Sequence, residues 1–306
     1  MRKIYASALL LAVVLTACST TGVNMPALEG SVDGDRLPGK IIWHELITDT
    51  PEKTQRFYTQ LLGWEFEPLA DNGVNYFLIR HKGEAIGGMI DQNKLPTKAD
   101  ISQWVALISV TDIAEAAEQV ANAGGTVFTP PTSLGDRGEI AVVADSQGAL
   151  FALLQTRDGD PADENELPSA GGFFWHELWT GEVDSAVAFY SKLAPYRMEQ
   201  KKLGTAEEPI NYVVMNAQQH KRGGIRENPF KGLPPIWVNY LRIEDDAALE
   251  AILAKVESLG GEILVPAVPR PGGGTVAVIA GPSGAGVALQ TWADDERIAE
   301  LTEDDS

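Results

Sequence analysis

Two short apolar stretches carry the residues whose types could do chemistry. The motif Trp-His-Glu-Leu occurs twice in the chain, 132 positions apart. Histidine can bind a metal or exchange a proton near neutral pH. A glutamate beside tryptophan on an apolar strand can become a base when burial raises its pKa. The candidate catalytic residues are therefore His44, Glu45, His176 and Glu177.

Each candidate also has a structural interpretation. The histidines could instead be hydrogen-bonded residues packed beneath a helix, and the glutamates could bind backbone donors at a strand end. Because strand side chains alternate, a shift of one residue exchanges the two faces. Two arrangements are therefore possible. Either His44 faces the cleft of the fold, or Trp43 and Glu45 face it together.

The motif belongs to a longer duplication. Phe57-Tyr58 recurs as Phe189-Tyr190 at the same offset, and the Gly-Gly pair at 87–88 recurs 136 positions later. Insertions fall between elements, as expected for a duplicated domain. We predict two domains, at residues 40–156 and 172–292.

The local patterns predict two βαβββ modules in each domain. Residues 41–48 form an apolar run typical of a strand, and Thr50-Pro51 then starts a helix that Gly63 ends. A second helix should stop at Gly124-Gly125. The predicted fold class is α+β, with the two modules of each domain paired into a curled sheet around a cleft.

Aromatic residues of these strands fit a stacking pocket for a planar or apolar ligand, although core packing is their commoner role. The predicted ligand-binding residues are Trp43, Tyr76, Trp104, Trp175, Tyr212, Trp237 and Tyr240. The Gly-Gly pairs sit on strands without a following helix, which favours close backbone approach over phosphate binding.

These motifs, with the run 144–148 before the last strand of the first copy, resemble the vicinal oxygen chelate superfamily. It includes glyoxalase I, bleomycin resistance proteins and extradiol dioxygenases. The resemblance implies a paired-module cleft, usually with a divalent metal held by His or Gln and Glu. Here Ala152 and Ala288 occupy the family's Glu positions, Val105 or a neighbour replaces a second-module histidine, and the first ligand position aligns with Trp43. We therefore predict no metal site and no cofactor, with a divalent metal as the alternative.

The amino terminus has the features of a bacterial lipoprotein. Arg2-Lys3 precedes an apolar run, and residues 15–18 resemble a lipobox that ends at Cys18, the chain's one cysteine. An ordinary secretory signal at 1–18 is the alternative. We expect lipidation at Cys18, a flexible tether at 19–39, and a lipid anchor in the outer membrane facing the periplasm.

The formal net charge of -19 excludes nucleic acid as an expected partner. The acidic runs at 157–171 and 293–306 are predicted to be a solvated linker and tail. The favoured function is small-molecule binding in a metal-poor cleft. The alternatives are a glyoxalase-related lyase or isomerase, an extradiol dioxygenase and an interaction scaffold.

Overall fold

The computed structural model describes residues 23–32, 34–69, 75–95, 100–164, 167–204, 209–270 and 273–291. The predicted signal peptide with Cys18, the start of the tether and the acidic tail lie outside these residues. Domain 1 contains β1 (Ile41–Thr48), α1 (Pro51–Leu62), β2 (Glu65–Pro68), β3 (Tyr76–His81), β4 (Glu84–Asp91), β5 (Gln103–Ser109), α2 (Ile113–Asn122), β6 (Thr126–Ser133), β7 (Gly138–Ala144) and β8 (Leu150–Thr156).

Domain 2 repeats this order of elements. It contains β9 (Phe173–Thr180), α3 (Val183–Leu193), β10 (Arg197–Gly204), β11 (Pro209–Ala217), β12 (His220–Glu227), β13 (Ile236–Ile243), α4 (Asp246–Val256), β14 (Glu262–Pro269), β15 (Thr275–Ala280) and β16 (Gly286–Thr291). None of the helices in the described ranges is long and apolar enough to span a membrane.

Each domain forms one open, mixed sheet of eight strands. The order is β2-β3-β4-β1-β5-β8-β7-β6 in domain 1 and β10-β11-β12-β9-β13-β16-β15-β14 in domain 2. β1 pairs in parallel with β4 and antiparallel with β5, so the two modules meet at the centre of the sheet. The α+β fold of two tandem domains with paired modules is therefore confirmed.

Local sequence signals explain where the helices begin and end. Pro51 opens α1, and Gly63 ends it in the left-handed conformation, with φ 69°, while its N–H donates to the carbonyl of Thr59. Asp112 caps α2 by accepting from the N–H of Glu115. The helices lie against one face of each sheet, which leaves the other face to form the cleft.

The helix-bearing sides of the two domains pack against each other. One buried cluster joins residues of α2 and β7 with residues of α3 and β11. A second joins α1 and β3 with α4 and β15. Each cluster therefore contains side chains from both domains, and the domain interface is part of the hydrophobic core.

The amino-terminal segment packs into the cleft of domain 1. Val23, Met25 and Leu28 belong to the same buried cluster as the cleft residues Trp43 and Tyr76. We call residues 23–28 the cleft segment. The prediction of a flexible tether is corrected for this part of the chain, because its three apolar side chains bury against the apolar face of the cleft.

The acidic linker is likewise more than a solvated connection. Asp160 is buried and accepts hydrogen bonds from Thr156 Oγ1 at 2.8 Å and from the N–H of Leu37 at 2.6 Å. Asp163 forms ion pairs with Lys40 at 3.1 Å and with Arg222 at 2.5 Å. Lys40 lies in domain 1 and Arg222 in domain 2, so this carboxylate ties the two domains together.

Candidate functional site

The register of β1 and β9 decides which residues line the clefts. Glu45 and Ile47 point to the concave face of domain 1, while Leu46 points to the helix side and joins the interdomain core. In domain 2, Glu177 and Trp179 occupy the same concave positions. The central feature of each cleft is therefore a glutamate.

In domain 1 one oxygen of Glu45 accepts all the hydrogen bonds. Oε1 accepts from Trp43 Nε1 and from the hydroxyl of Tyr76, both at 2.9 Å, and Arg137 Nη1 lies 3.4 Å away. Oε2 is buried without a partner among the described residues. Burial raises the pKa of Glu45 to about 7, although the nearby charge of Arg137 lowers it. Glu45 therefore titrates near neutral pH.

In domain 2 both oxygens of Glu177 accept hydrogen bonds. Oε1 accepts from the hydroxyl of Tyr212 at 2.8 Å and from Arg270, and Oε2 accepts from Trp179 Nε1 at 3.0 Å and from the hydroxyl of Tyr240. Burial alone would raise the pKa of Glu177, but the charge of Arg270 and these hydrogen bonds outweigh it and lower the pKa. Glu177 is therefore a buried carboxylate that stays ionised.

Two substitutions between the domains explain this difference. Leu107 of β5 is equivalent in position to Tyr240 of β13. The register shows this, since each residue pairs with the equivalent alanine of the last strand of its domain. Likewise β1 has Ile47 where β9 has Trp179. The two side chains that donate to Oε2 of Glu177 thus have apolar counterparts in domain 1. Oε2 of Glu45 therefore has no hydrogen-bond donor among the described residues.

The histidines lie at the domain interface and not in a cleft. The ring of His44 stacks on Phe173 at 3.8 Å between centroids and on His176 at 5.1 Å. His176 Nδ1 lies 3.2 Å from Asn239 Oδ1. Burial lowers the pKa of His44 well below its ordinary value and that of His176 to about 4. Both rings are therefore neutral at pH 7 and lie outside the two clefts, and the catalytic role of His44 and His176 stays a prediction.

The predicted aromatic residues separate into two groups. Those that lie in the clefts are Trp43, Tyr76, Trp175, Tyr212 and Tyr240. Trp104 and Trp237 are instead on the helix side, where their indole N–H groups donate to the hydroxyls of Tyr58 at 3.2 Å and Tyr190 at 2.9 Å. Their assignment to the ligand pocket is corrected, since alternation puts Val105 and Val238 on the concave face.

Sequence reasoning did not identify Arg137, Arg270 or Trp179 as cleft residues. Both arginines come from the connections after β6 and β14, where periodicity carries no information about direction. The guanidinium of Arg137 lies 4.7 Å from the ring centroid of Trp43, and that of Arg270 lies 4.9 Å from that of Tyr240. The sequence signal that could have identified the two arginines is a basic residue in a glycine-rich turn of each copy.

The second glycine of each Gly-Gly pair is required by the clefts. A Cβ on Gly88 would lie 1.9 Å from the hydroxyl of Tyr76, and a Cβ on Gly224 would lie 1.9 Å from that of Tyr212. No side chain fits there, so glycine lets each tyrosine reach its glutamate. The predicted close approach at these glycines is what the geometry shows.

The cleft donor sets do not suit the divalent metal that this fold usually carries. Within the described ranges no group of three or more His, Cys, Asp or Glu side chains could share an ion. In domain 1 Oε2 of Glu45 lies beside Gly88, where a Cβ would be 2.3 Å away, and Arg137 lies beside Oε1. In domain 2 every Glu177 lone pair that a metal would need is taken by a donor. A catalytic metal ordinarily has at least three protein ligands.

Access distinguishes the two clefts further. In domain 1 the N–H of Met25 donates to the carbonyl of Leu134 at 2.8 Å, and the carbonyl of Met25 accepts from the N–H of Arg137 at 3.0 Å. These bonds fix the cleft segment in place. In domain 2 the equivalent region has Trp175 half-buried and Phe230 40% exposed, with Phe230 against Trp179 at 5.7 Å between centroids. No described segment fills this cleft.

Comparison with known proteins identifies the family of the first domain. The Glyoxalase/Bleomycin resistance protein/Dioxygenase superfamily profile matches residues 40–153. The putative glyoxylase CFP32 of Mycobacterium tuberculosis is 28% identical over 245 residues, which cover 79% of this chain and 91% of that protein. The anthracycline biosynthesis protein DauV of Streptomyces sp. is 25% identical over 273 residues, covering 82% and 93%.

Solved structures share the two-domain fold. The Mn(II)-bound glyoxalase from Novosphingobium aromaticivorans superposes with a TM-score of 0.55 at 14% identity, covering 83% of this chain and 82% of its own. The 2,2',3-trihydroxybiphenyl 1,2-dioxygenase from Sphingomonas wittichii gives 0.55 at 17% identity, covering 84% and 91%. The profile match and the repeated architecture lead to one conclusion: residues 40–153 form a domain of the Glyoxalase/Bleomycin resistance protein/Dioxygenase superfamily, and the second domain repeats its order of strands.

Proposed function

We propose that the protein is a lipid-anchored binding protein of the cell envelope that holds a small planar organic molecule in the cleft of domain 2. The observation that carries this proposal is the difference in access between two otherwise similar clefts. Domain 2 presents Trp175 and Phe230 to the cleft, while the chain itself fills the equivalent space in domain 1. Aromatic walls with a few fixed polar groups are typical of small-molecule sites.

Binding is favoured over catalysis by the state of the two glutamates. Glu177 is ionised, but its four donors occupy both oxygens, so it has no free lone pair directed at a substrate. Glu45 has the pKa of a general base, but it lies beneath the cleft segment. A lyase or isomerase would need one glutamate that is both accessible and basic.

The experiment is a titration with phenylnaphthylamine, a neutral aromatic compound that fluoresces when bound in an apolar site. We expect one binding site, and we expect Trp175→Ala to weaken binding by about tenfold, equivalent to about 1.4 kcal/mol. The control is Phe66→Ala, which removes a half-buried aromatic ring on the helix side of the domain 1 sheet, away from its cleft. Equal affinity in the Trp175→Ala protein would contradict the proposal.

The anchor is the other part of the proposal, and Cys18 carries it. Val23, five residues later, is already buried in domain 1. Five extended residues span at most about 18 Å, so an anchor at Cys18 would hold the cleft of domain 1 next to the bilayer. Metabolic lipid labelling tests this, since Cys18→Ala should abolish the label and release the protein from the outer membrane. Label that persists on Cys18→Ala would refute the anchor.

A further inference from the structure

The cleft of domain 2 contains two polar side chains, each with a donor that no described residue accepts. Arg226 pairs across the sheet with Tyr212 and with Trp179, both of which donate to Glu177, so it lies on the concave face. Its Nε is buried without a hydrogen-bond partner among the described residues. Gln290 is fully buried, and its Oε1 accepts from Arg270 while its Nε2 has no partner in the described ranges.

Neither donor exists in domain 1. The residues 136 positions earlier are Ile90 and Leu154, and both pack in the apolar cluster of that cleft. A buried donor without an acceptor costs about 1 to 3 kcal/mol. The accessible cleft of domain 2 has two such donors, whereas the filled cleft of domain 1 has apolar residues at both positions. This difference indicates that the donors bind a ligand.

The charges on this face point to the sign of that ligand. Glu177 is matched by Arg270, and Glu199 is matched by Lys201 at 2.7 Å. Arg226 is therefore an additional positive charge, in a protein whose formal net charge is -19. Among the described residues of this face, the carboxylate of Glu177 has donors at both oxygens and is not free to pair with a cationic ligand.

We infer that the cleft of domain 2 binds an organic anion, with a planar apolar body against Trp175 and Trp179 and an acidic group that accepts from Arg226 and Gln290. This inference rests on the proposed function and specifies its ligand class. Guanidinium and amide N–H groups are the donors that recognise carboxylate and sulfonate oxygens. An anion of this kind satisfies both unused donors at once.

The test uses two probes with one skeleton. Anilinonaphthalene sulfonate carries an acidic group that phenylnaphthylamine lacks, and both fluoresce when bound. We expect the wild-type protein to bind the sulfonate about tenfold more tightly than the neutral compound. The variant is Arg226→Ile with Gln290→Leu, which installs the residues of domain 1. It should lose that preference and keep its affinity for the neutral probe within about twofold.

The outcomes separate this inference from the proposed function. Equal affinity for the two probes, or an unchanged preference in the double variant, overturns the anion and leaves aromatic binding intact. Failure of both probes to bind overturns both proposals. If the double variant does not fold, as judged by its thermal midpoint, Gln290→Leu alone replaces it, with an expected loss of about threefold for the sulfonate and none for the neutral probe.

Discussion

The two clefts have the same glutamate, tyrosine and tryptophan, yet they differ in proton state and in access. Glu45 titrates near pH 7 beneath the cleft segment, whereas Glu177 is ionised among four donors in an accessible cleft. The duplication thus kept the fold and let the sites diverge. Substitutions at equivalent strand positions, such as Ile47 against Trp179, make the domain 1 cleft more apolar, and the cleft segment packs there.

The largest expected effect comes from removing the arginine of domain 2. Arg270→Met leaves Glu177 buried and ionised without its counter-charge, which should lower the free energy of unfolding by about 3 to 5 kcal/mol at pH 7. Arg137→Met is the matched change in domain 1. It should cost less, about 1 to 3 kcal/mol, because Glu45 can take up a proton. Urea unfolding measures both, and equal losses would contradict the assigned proton states.

The pH dependence of stability should have opposite signs for the two glutamates. The pKa of Glu45 is about 7 in the folded protein and ordinarily 4.5, so its contribution is complete below pH 4.5 and is lost as the pH rises through 7. The loss amounts to about 3 kcal/mol. Glu45→Gln should remove it, and unfolding of this variant should be less sensitive to pH between about 5 and 8.

Glu177→Gln provides the opposite control. Because the pKa of Glu177 is lowered, its contribution is present above the ordinary value and is lost as the pH falls through the folded value. The variant should therefore be destabilised most at neutral pH and approach the wild-type protein in acid. A parallel pH dependence for the two variants would mean that the glutamates share one environment.

Sequence patterns predicted the fold because the duplication and the helix boundaries are local. Gly63 ends α1 and Asp112 caps α2, and both effects depend only on neighbouring residues. The strand of Trp43 was likewise recognised as the centre of the candidate site. The faces of Trp104 and Trp237 could not be predicted, since the central strands are apolar on both sides and alternation is invisible in them. Arg137 and Arg270 reach the clefts through turns, and the cleft segment acts across more than 100 residues of sequence.

The cleft segment can be loosened without changing the rest of domain 1. Leu28→Ala removes one of its three buried apolar side chains and should cost about 2 kcal/mol, limited because the segment can detach. Hydrogen exchange at the amide of Met25 should rise, as that N–H then loses its bond to Leu134. The control is Val32→Ala, a position 42% exposed. Unchanged exchange at Met25 would show that Leu28 does not hold the segment.

The smallest expected effect lies at a pair of equivalent positions near the cleft mouths. Phe128 is 8% exposed in the cluster that contains the cleft segment, and Leu264, 136 positions later, is 48% exposed. Both residues lie at a register shift between paired strands, so their backbones are alike. Their surroundings differ. Phe128→Leu should cost about 1 kcal/mol, and Leu264→Phe should stay within about 0.5 kcal/mol of the wild-type protein.

A double-mutant cycle tests whether the cleft segment is what buries Phe128. In the Leu28→Ala background the cost of Phe128→Leu should fall by at least about 0.5 kcal/mol, because both side chains belong to one buried cluster. Leu264→Phe should be additive with Leu28→Ala, since no described residue of the cleft segment reaches domain 2. Additivity at both positions would show that the cleft segment is not what buries Phe128. The difference in access between the two clefts would then have to arise within the sheets themselves.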